Sequence, residues 1–435
     1  MLLVSADWVL PVSAPAVPGG AVLVDADRIV AVGPASELGA ACPLDAVRAA
    51  FPGCVITPGL VNAHTHLTLT ALGGVVPPTR FDAWLPRLVA ALGPWDIADH
   101  EASGVVGAEE SLASGVTVVG DIAYGAAEVA SATRAGLGGA YYWELLGIQS
   151  EALAERLAYL RYPKDREAFG PRVVCGLSPH SPYTSGPGLL RAVHAAALEL
   201  AVPFAIHVAE SAAEHELMHL GTGALAGTAD RTAFGFAVPG VSTVAYLDRL
   251  GVLGGAAAVH CCRLEPGDIE LLSAASAGVV TCPRSNRYLD NPPALVAPLL
   301  AAGIRVGIGT DSSASNADLD LLAEIRALHV AEPDIDAETL LRVATSDGAA
   351  AIGVDDRFGS LAPGLQADLA IFAVGPTDAP AEALVARGGR ASVRAVMSGG
   401  QWRVREGELL TRDEAAARRA DDATRRSREA LAALG

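Results

Sequence analysis

The sequence predicts an α/β fold: a (β/α)8 TIM-like barrel with a small β-sandwich domain built from the N- and C-terminal segments. Three observations lead to this prediction. An apolar, strand-like run that ends in a polar residue and is followed by an Ala- and Leu-rich helical stretch recurs eight times. Strand-like runs of a different pattern flank these eight units. The 435 residues are 51% hydrophobic and 18% charged, which provides material for a large core and excludes disorder as a class.

The eight apolar runs define the predicted barrel, which we place at residues 56–355. Continuous apolar strands that alternate with helices are typical of a parallel sheet covered by helices, and eight such units predict a closed barrel. Because the span exceeds the roughly 250 residues of a typical barrel, we expect insertions at 67–98 and 211–245. The runs are Val55–His66, Val116–Ile122, Gly139–Leu145, Arg172–His180, Pro203–Glu210, Ala256–His260, Gly278–Asn286 and Ile304–Asp311.

The flanking segments, residues 1–55 and 356–410, are predicted to pair into the small β-domain, because neither is long enough to build a β-core alone. Residues 21–33 have the pattern of a hairpin with an Asp-rich turn. The tail at 411–435 is rich in Ala, Arg, Asp and Glu, and we expect a solvated helix there. After the barrel, strand-like runs return at 367–372, 392–397 and 401–404.

Charge and composition limit the possible partners. The 31 Lys and Arg residues against 49 Asp and Glu residues give a net charge of −18, which repels phosphate backbones and anionic lipids. Neither nucleic acid nor a membrane is therefore an expected partner. Six cysteines without a CxxC pair fit a reducing compartment. We expect a cytoplasmic protein that acts on a small molecule, and its apolar outer helices are compatible with a homodimer.

Polar residues mark the predicted carboxyl ends of the strands, where the chemistry of such barrels collects. Five of the ten histidines stand there, more than chance would place. In chain order the strand-end residues are His64, His66, Asp121, Glu144, His180, His207, Glu210, His260, Ser285, Asn286 and Asp311. The histidines expected to be surface or packing residues are His100, His194, His215, His219 and His329.

Two of the strand-end histidines form the motif His64-Thr-His66. Because side chains alternate along a strand, both imidazoles share one face, where they suit a borderline metal such as zinc or iron. Alone, the motif is as often structural as metal-binding. Together with His207 and Asp311 it predicts one divalent metal ion, zinc first and iron as the alternative, with a position left for water.

Glu210 and His260 are the candidates for proton transfer. A carboxylate three residues beyond the third histidine can move a proton between water and substrate; the alternative is a cap of the next helix. His260 ends an apolar run, as many core histidines do, but its place among the strand ends favours a role beside the water. His180, in a proline-flanked loop, suits substrate contact. Asp121 and Glu144 are either buried hydrogen-bonding carboxylates or part of a pocket floor.

Four motifs together resemble the amidohydrolase superfamily, in its deaminase and chlorohydrolase branch. They are Val-Ile-Thr-Pro-Gly-Leu-Val-Asn-Ala-His-Thr-His at 55–66, His-Val-Ala-Glu at 207–210, Thr-Cys-Pro-Arg-Ser-Asn at 281–286 and Gly-Ile-Gly-Thr-Asp-Ser at 307–312. By this resemblance, one divalent metal ion is held by His64, His66, His207 and Asp311. The resemblance also implies that Glu210 and His260 act on the water and the substrate. Asp311 would take a proton from the water and later return one to the leaving ammonia.

The lysine content distinguishes between one-metal and two-metal members of the superfamily. Two-metal members of the superfamily bridge their ions through a carboxylated lysine at the end of the fourth strand. The only lysine here, Lys164, lies before that strand, which ends near His180. A mononuclear site is therefore expected.

Within the mononuclear branch the sequence looks most like the aminodeoxyfutalosine deaminases of menaquinone biosynthesis. The resemblance rests on 115–122, 141–146, 176–184 and 282–286. It implies hydrolytic removal of the 6-amino group of an adenine-bearing nucleoside, with release of ammonia. Alternatives are deaminases of S-adenosylhomocysteine, methylthioadenosine or adenosine, triazine-type chlorohydrolases and, from another class, a non-catalytic scaffold relative. One departure from the pattern is Arg287-Tyr288 followed by Leu-Asp-Asn-Pro-Pro.

The expected substrate contacts are Trp84, His180, Ser285 and Arg284. Phe81 and Trp84 lie in the first insertion and either stack on a substrate ring or pack a helix. A substrate carboxylate would favour an arginine, because the guanidinium fork matches its geometry. The sequence does not choose among Arg80, Arg284 and Arg287 for that role.

Overall fold

The computed structural model describes residues 1–43, 45–147, 169–232 and 237–433, together with positions 153, 154 and 157; Lys164 lies outside these residues. The strands are β1 Leu2–Val9, β2 Val17–Pro18, β3 Gly20–Asp25, β4 Arg28–Pro34, β5 Val47–Pro58, β6 Leu60–Thr65, β7 Val116–Ala123, β8 Gly138–Leu145, β9 Val173–Pro179, β10 Phe204–Val208, β11 Ala256–His260, β12 Gly278–Thr281, β13 Val306–Ile308, β14 Leu369–Ala373, β15 Val393–Ser398, β16 Gln401–Arg405 and β17 Glu408–Leu409.

The helices of the described residues follow the strands in alternation through the middle of the chain. They are α1 Ala35–Ala41, α2 Phe81–Leu92, α3 Ile97–Ala113, α4 Ala126–Ala135, α5 Pro187–Leu200, α6 Ala212–Leu220, α7 Ala226–Thr232, α8 Thr243–Leu250, α9 Asp268–Ala274, α10 Pro283–Tyr288, α11 Val296–Ala301, α12 Leu321–Ala331, α13 Ala337–Val343, α14 Ser346–Ala351, α15 Pro380–Arg387 and α16 Glu414–Ala432. Short 3-10 helices cover Leu67–Leu72, Ser313–Ser315 and Arg390–Ser392.

Strands β6 to β13 form one parallel sheet in chain order. The sheet closes on itself beyond β13, where Asp311 bridges to Thr65 and donates its backbone N–H to the His64 carbonyl oxygen at 3.0 Å. A Cβ atom added to Gly309 would lie 2.5 Å from that same carbonyl oxygen, so only glycine permits the strands to approach there. The (β/α)8 barrel predicted from the eight apolar runs is confirmed.

The remaining strands form one nine-stranded sheet in the order β17-β16-β15-β14-β5-β1-β3-β4, with β2 on β1. The two ends of the chain meet where β14 pairs antiparallel to β5, with Ile371 opposite Ile56. The hairpin predicted at 21–33 is β3 and β4, with Asp25 opposite Arg28. We expected a β-sandwich; the strands are hydrogen-bonded as one continuous sheet. Since β5 ends at Pro58 and β6 begins at Leu60, this sheet leads directly into the barrel.

The C-terminal helix α16 packs on the protein along one face, so our expectation of a solvated helix was wrong for that face. Its buried residues, Ala416, Ala420, Ala423 and Ser427, repeat at helical spacing. The Ser427 hydroxyl accepts a hydrogen bond from Trp95 Nε1 at 2.8 Å and donates one to the Ala91 carbonyl at 2.7 Å. The helix therefore supports α2, which forms a wall of the cavity at the carboxyl ends of the barrel strands. Across the described residues, none of the helices combines the length and apolarity needed to cross a membrane.

Candidate active site

The carboxyl ends of the barrel strands bring four imidazoles and one carboxylate together. His64 Nε2 lies 3.7 Å and His66 Nε2 lies 3.6 Å from Asp311 Oδ1. The ring of His207 is 5.0 Å from that of His64 and 5.6 Å from that of His260, measured between centroids. The four residues predicted as metal ligands thus converge, with His260 beside them.

The donor atoms at this point fit a divalent metal ion. Those of His64, His66 and Asp311 lie within 4.8 Å of one another, as do those of His64, His207 and His260. His64 Nε2 and His66 Nδ1 are buried without a hydrogen-bond partner among the described residues. Buried nitrogens are normally satisfied, and the unpartnered His64 Nε2 lies 3.7 Å from Asp311 Oδ1, as two ligands of one metal ion would.

Burial keeps the imidazoles in the form that binds metal. It lowers the pKa of His66 to about 3, with a further contribution from His64. Burial likewise lowers the pKa values of His180 and His260 to about 4, and that of His207 well below its usual value. At neutral pH these rings are uncharged and offer lone pairs.

Asp311 is oriented by two serine hydroxyls. Ser285 and Ser315 each donate a hydrogen bond to Oδ2 at 2.7 Å, which leaves Oδ1 facing the histidines. The backbone of Asp311 has φ +56°, a strained conformation for a non-glycine residue. Burial would raise the pKa of Asp311, but the surrounding imidazoles of His64 and His66 lower it well below its usual value. We expected Ser285 to contact substrate; its hydroxyl is instead engaged with the carboxylate.

His207 is held by the backbone of His180. Its Nδ1 lies 2.7 Å from the His180 carbonyl oxygen, an acceptor, so Nδ1 carries the proton and Nε2 is free to bind metal. The side chain of His180 faces the cavity, and its Nδ1 lies 2.7 Å from Thr184 Oγ1.

Glu210 and His260 face each other across the site. His260 Nε2 lies 3.9 Å from Glu210 Oε1, and His260 Nδ1 lies 3.0 Å from Asn286 Oδ1. Burial raises the pKa of Glu210 well above its usual value, and the charges of Asp311 and Glu214 add to the effect. A buried carboxyl with a raised pKa can hold a proton at neutral pH and is suited to general acid and base chemistry.

Glu214, which the sequence analysis did not identify, positions Glu210. Its Oε2 accepts a hydrogen bond from the Glu210 N–H at 2.7 Å, and its Oε1 accepts from the Ala209 N–H at 2.9 Å and from Thr243 Oγ1 at 2.7 Å. Ala209 has φ +51°, so these bonds stabilise a strained turn. The available signal was an acidic residue in the first turn of a helix whose N-cap, Ser211, directly follows Glu210.

A cavity of about 520 Å³ opens above these residues, a size suited to a small-molecule ligand. One wall is formed by helix α2, and Trp84 is fixed in it because Nε1 donates a hydrogen bond to the Ala314 carbonyl at 3.1 Å. Trp84 therefore both packs the helix and lines the cavity. The apolar side of the lining is made by Leu69, Phe81, Trp84, Leu85, Pro86, Leu88, Val89, Leu92, Leu146 and Leu289.

Glu144 and Asp121, whose roles the sequence did not decide, lie in different parts of the site. Glu144 lines the cavity, and burial raises its pKa to about 8. Asp121 accepts a hydrogen bond from the Leu67 N–H at 2.9 Å, so it fixes the chain just after His66.

None of the three candidate arginines reaches the cavity. Arg284, which we expected to bind substrate, pairs instead with Asp318 at 2.7 Å and approaches Glu324 at 3.7 Å, because its side chain turns toward α12. Arg80 pairs with a neighbouring aspartate and is 67% exposed, and Arg287 is exposed. Among the described residues that line the cavity, there is no arginine or lysine.

The model of the Amidohydrolase family matches residues 55–403. The chain belongs to this family. A short match to an imidazolonepropionase-like composite domain of bacteria covers residues 20–41, in the β-sheet domain.

Similar proteins within the amidohydrolase family include deaminases. The chain is 33% identical over 431 residues to a 5-methylthioadenosine/S-adenosylhomocysteine deaminase of Desulforudis audaxviator, covering 95% of each chain. It is 33% identical over 354 residues to an aminodeoxyfutalosine deaminase of Deinococcus radiodurans, covering 77% of this chain and 82% of the relative. The crystal structure of an adenosine deaminase from Xanthomonas campestris with bound zinc superposes with a TM-score of 0.87 at 27% identity, covering 98% of each chain. The chain is therefore a metal-dependent hydrolytic deaminase of this family.

Proposed function

We propose that this chain removes the 6-amino group of an adenosine-type nucleoside by hydrolysis and releases ammonia. One observation carries the proposal: a buried carboxyl, Glu210, shares the floor of a nucleoside-sized cavity with the His64, His66, His207 and Asp311 cluster. Deamination of a purine needs an activated water on one side of the ring carbon and a proton for the ring nitrogen. At this floor, the histidine and aspartate cluster would supply the first and Glu210 the second.

The four converging ligands, His64, His66, His207 and Asp311, would hold one divalent ion, zinc first and iron as the alternative. When bound, such an ion would lower the pKa of a water molecule to about 7, so that hydroxide would be available at neutral pH. The donor set of imidazoles and one carboxylate matches that of catalytic zinc sites, which keep a position open for water.

The protein's own residues would move the protons. Glu210 would carry a proton from the water to ring N1, a task that suits a buried carboxyl with a raised pKa. Asp311, kept ionised and oriented by Ser285, would accept a proton and deliver it to the leaving ammonia. His260, whose Nε2 lies 3.9 Å from Glu210 Oε1, would stabilise the attacking oxygen.

The apolar wall would bind the organic part of the substrate. Phe81 and Trp84, with ring centroids 6.3 Å apart, offer aromatic surface, and the leucines of α2 exclude water from the reacting groups. Exclusion of water strengthens the electrostatic interactions of the charged groups on the floor.

Aminodeoxyfutalosine is the substrate we propose first, which would place the enzyme in menaquinone biosynthesis in the cytoplasm. The Deinococcus radiodurans relative is named as a deaminase of this compound. The carboxyphenyl ring of the compound would suit the aromatic wall. Methylthioadenosine is the second candidate, because a cavity whose described lining has no cation favours an uncharged 5′ group. Several relatives carry the corresponding name.

Ammonia release tests these proposals. The purified, metal-analysed protein would be offered aminodeoxyfutalosine, methylthioadenosine, S-adenosylhomocysteine, adenosine and a chlorinated triazine at matched concentrations. We expect ammonia from the nucleosides and the highest kcat/KM with one of the first two. Chloride release from the triazine without deamination, or no product from metal-loaded protein, would overturn the proposal. Glu210→Gln is the control: it should retain its metal and lose about a hundred- to ten-thousand-fold of the rate.

A further inference from the structure

A second group of metal-binding side chains lies outside the strand-end cluster. The donor atoms of His215, His219 and Glu265 are within 4.8 Å of one another. None of these residues lines the cavity above the strand ends. We propose that His215, His219 and Glu265 form a second divalent-metal site, which takes Zn²⁺ or another borderline transition metal.

The helix α6 places both histidines on one face. Residues four apart in a helix are neighbours on its surface, and the rings of His215 and His219 are 4.5 Å apart between centroids. Glu265, in the loop between β11 and α9, faces them. Its Oε1 lies 2.5 Å from His219 Nε2 and 3.3 Å from His215 Nδ1. A single carboxylate oxygen is thus shared by two imidazole nitrogens.

The spacing suits a tetrahedral ion. Zinc bonds of about 2.0–2.2 Å to nitrogen and oxygen place neighbouring ligand atoms roughly 3.3–3.5 Å apart. The His215 and Glu265 atoms already have this separation. The His219 and Glu265 atoms would have to move apart by about 1 Å, which a small side-chain rotation allows. Two nitrogens and one carboxylate oxygen favour zinc, copper or nickel over magnesium and calcium, which prefer oxygen.

The group is open to solvent and to ions. The side chains of His215, His219 and Glu265 are 46%, 28% and 30% exposed, so a cation reaches them without opening the fold. The net charge of −18 raises the concentration of cations near the surface. One coordination position remains for water.

An ion at this site would join the two segments that carry the proposed proton-transfer residues. Helix α6 begins at Ala212, two residues after Glu210, and Glu265 lies five residues after His260. The two segments already meet where the Arg263 N–H donates to the Ala209 carbonyl at 2.9 Å. A metal bridge would add a second, stronger tie near the rim of the active site.

Zinc counting on the full chain tests the site. Protein whose strand-end site is already loaded would be titrated with Zn²⁺ by equilibrium dialysis, with Mg²⁺ as a parallel titrant. We expect the His215→Ala/His219→Ala double variant to bind one equivalent of Zn²⁺ fewer than the natural chain. Glu265→Gln should bind the second equivalent at least about tenfold more weakly. His329→Ala, at a half-buried histidine outside both groups, is the matched control and should bind as the natural chain does.

Thermal unfolding gives an independent measurement. Excess Zn²⁺ should raise the Tm of the loaded natural chain and of His329→Ala, and leave that of the double variant unchanged, because only a ligand of the folded state stabilises it. If the double variant does not fold, Glu265→Gln and His219→Gln replace it. Equal zinc counts and equal Tm shifts in all variants would overturn the site and leave an ordinary imidazole–carboxylate hydrogen bond. Since the readout is a difference in bound zinc, it is separate from the proposed deaminase activity.

Discussion

The carboxylate of Glu214 holds the backbone of Glu210 in place. Its Oε2 accepts the Glu210 N–H at 2.7 Å, while its Oε1 accepts the preceding N–H at 2.9 Å. Glu214 is 1% exposed, so these bonds form in a water-poor environment where an unsatisfied group is costly. The position of the proposed proton carrier therefore depends on a second carboxylate that does not line the cavity.

Glu214→Gln should lower kcat about ten- to hundredfold, with KM nearly unchanged, because the amide supplies one acceptor where the carboxylate supplies two. Steady-state kinetics on protein with a full metal content checks this prediction. Glu216→Gln, an acidic residue on the same helix, is the control. A variant that loses only thermal stability, with kcat per folded molecule unchanged, would contradict the positioning role.

Ser285 and Ser315 should act together on the metal. Ser285→Ala or Ser315→Ala alone leaves one donor to Asp311 Oδ2, so we expect a modest loss of metal affinity. The double variant should bind the metal about ten- to hundredfold more weakly. Chelator competition measures the affinity, with Ser273→Ala, a serine near the protein surface, as the control. Unchanged affinity in the double variant would show that the two hydroxyls do not affect metal binding by Asp311.

Acid should destabilise the metal-free protein through its buried histidines. The pKa of His180 is lowered to about 4 in the folded state, whereas the unfolded chain takes up the proton near 6.5. The unfolded state thus binds more protons between these values, and stability falls as pH drops from about 6.5 to about 4. Relative to His180→Asn, the natural chain should lose on the order of 3 kcal/mol of unfolding free energy across this window.

Denaturant titrations at several pH values between 7 and 4 provide that comparison. Taking the difference between the two chains cancels the contributions of the other titrating groups. Parallel curves for the natural chain and the variant would show that His180 takes up its proton equally in both states.

The contribution of Glu144 to the free energy of unfolding should change with pH in the opposite direction. Burial raises its pKa to about 8 in the folded state, above the usual value of 4.5. Its stabilising contribution is complete below pH 4.5 and is lost as pH rises toward 8. Glu144→Gln, which stays neutral, should therefore gain stability over the natural chain, by about 3 kcal/mol at pH 7. Urea unfolding at pH 5 and pH 8 tests this, since the gain should be larger at pH 8.

Arg284→Gln should leave the KM for aminodeoxyfutalosine within about twofold of the natural value and lower stability instead. Its guanidinium is hydrogen-bonded to the half-exposed Asp318 and approaches the buried Glu324, so its removal should cost about 1–3 kcal/mol of unfolding free energy. Kinetics with carboxylated and uncarboxylated substrates separates the two effects. A selective rise in KM for the carboxylated substrate would show that Arg284 binds the substrate carboxylate after all.

The barrel and the convergence of its metal ligands could be predicted from the amino-acid sequence. Eight apolar runs ending in polar residues are sufficient, because parallel strands in a closed barrel present their carboxyl ends at one rim. His64, His66, His207 and Asp311 follow or end such runs, so the pattern alone predicts that they meet. The terminal strands were also recognisable by their alternation and turn residues.

Which side chains contact one another could not be predicted from the sequence, because these contacts depend on the folded chain. Glu214 and Ser315 each lie four residues after the group that they orient, but the hydrogen bonds that complete both arrangements come from distant residues: Thr243 donates to Glu214, and Ser285 donates to Asp311. Arg284 follows a strand end like a binding residue, but packing turns its long side chain toward Asp318. Side-chain direction and pKa depend on contacts between distant segments and on burial, and these arise only when the chain has folded.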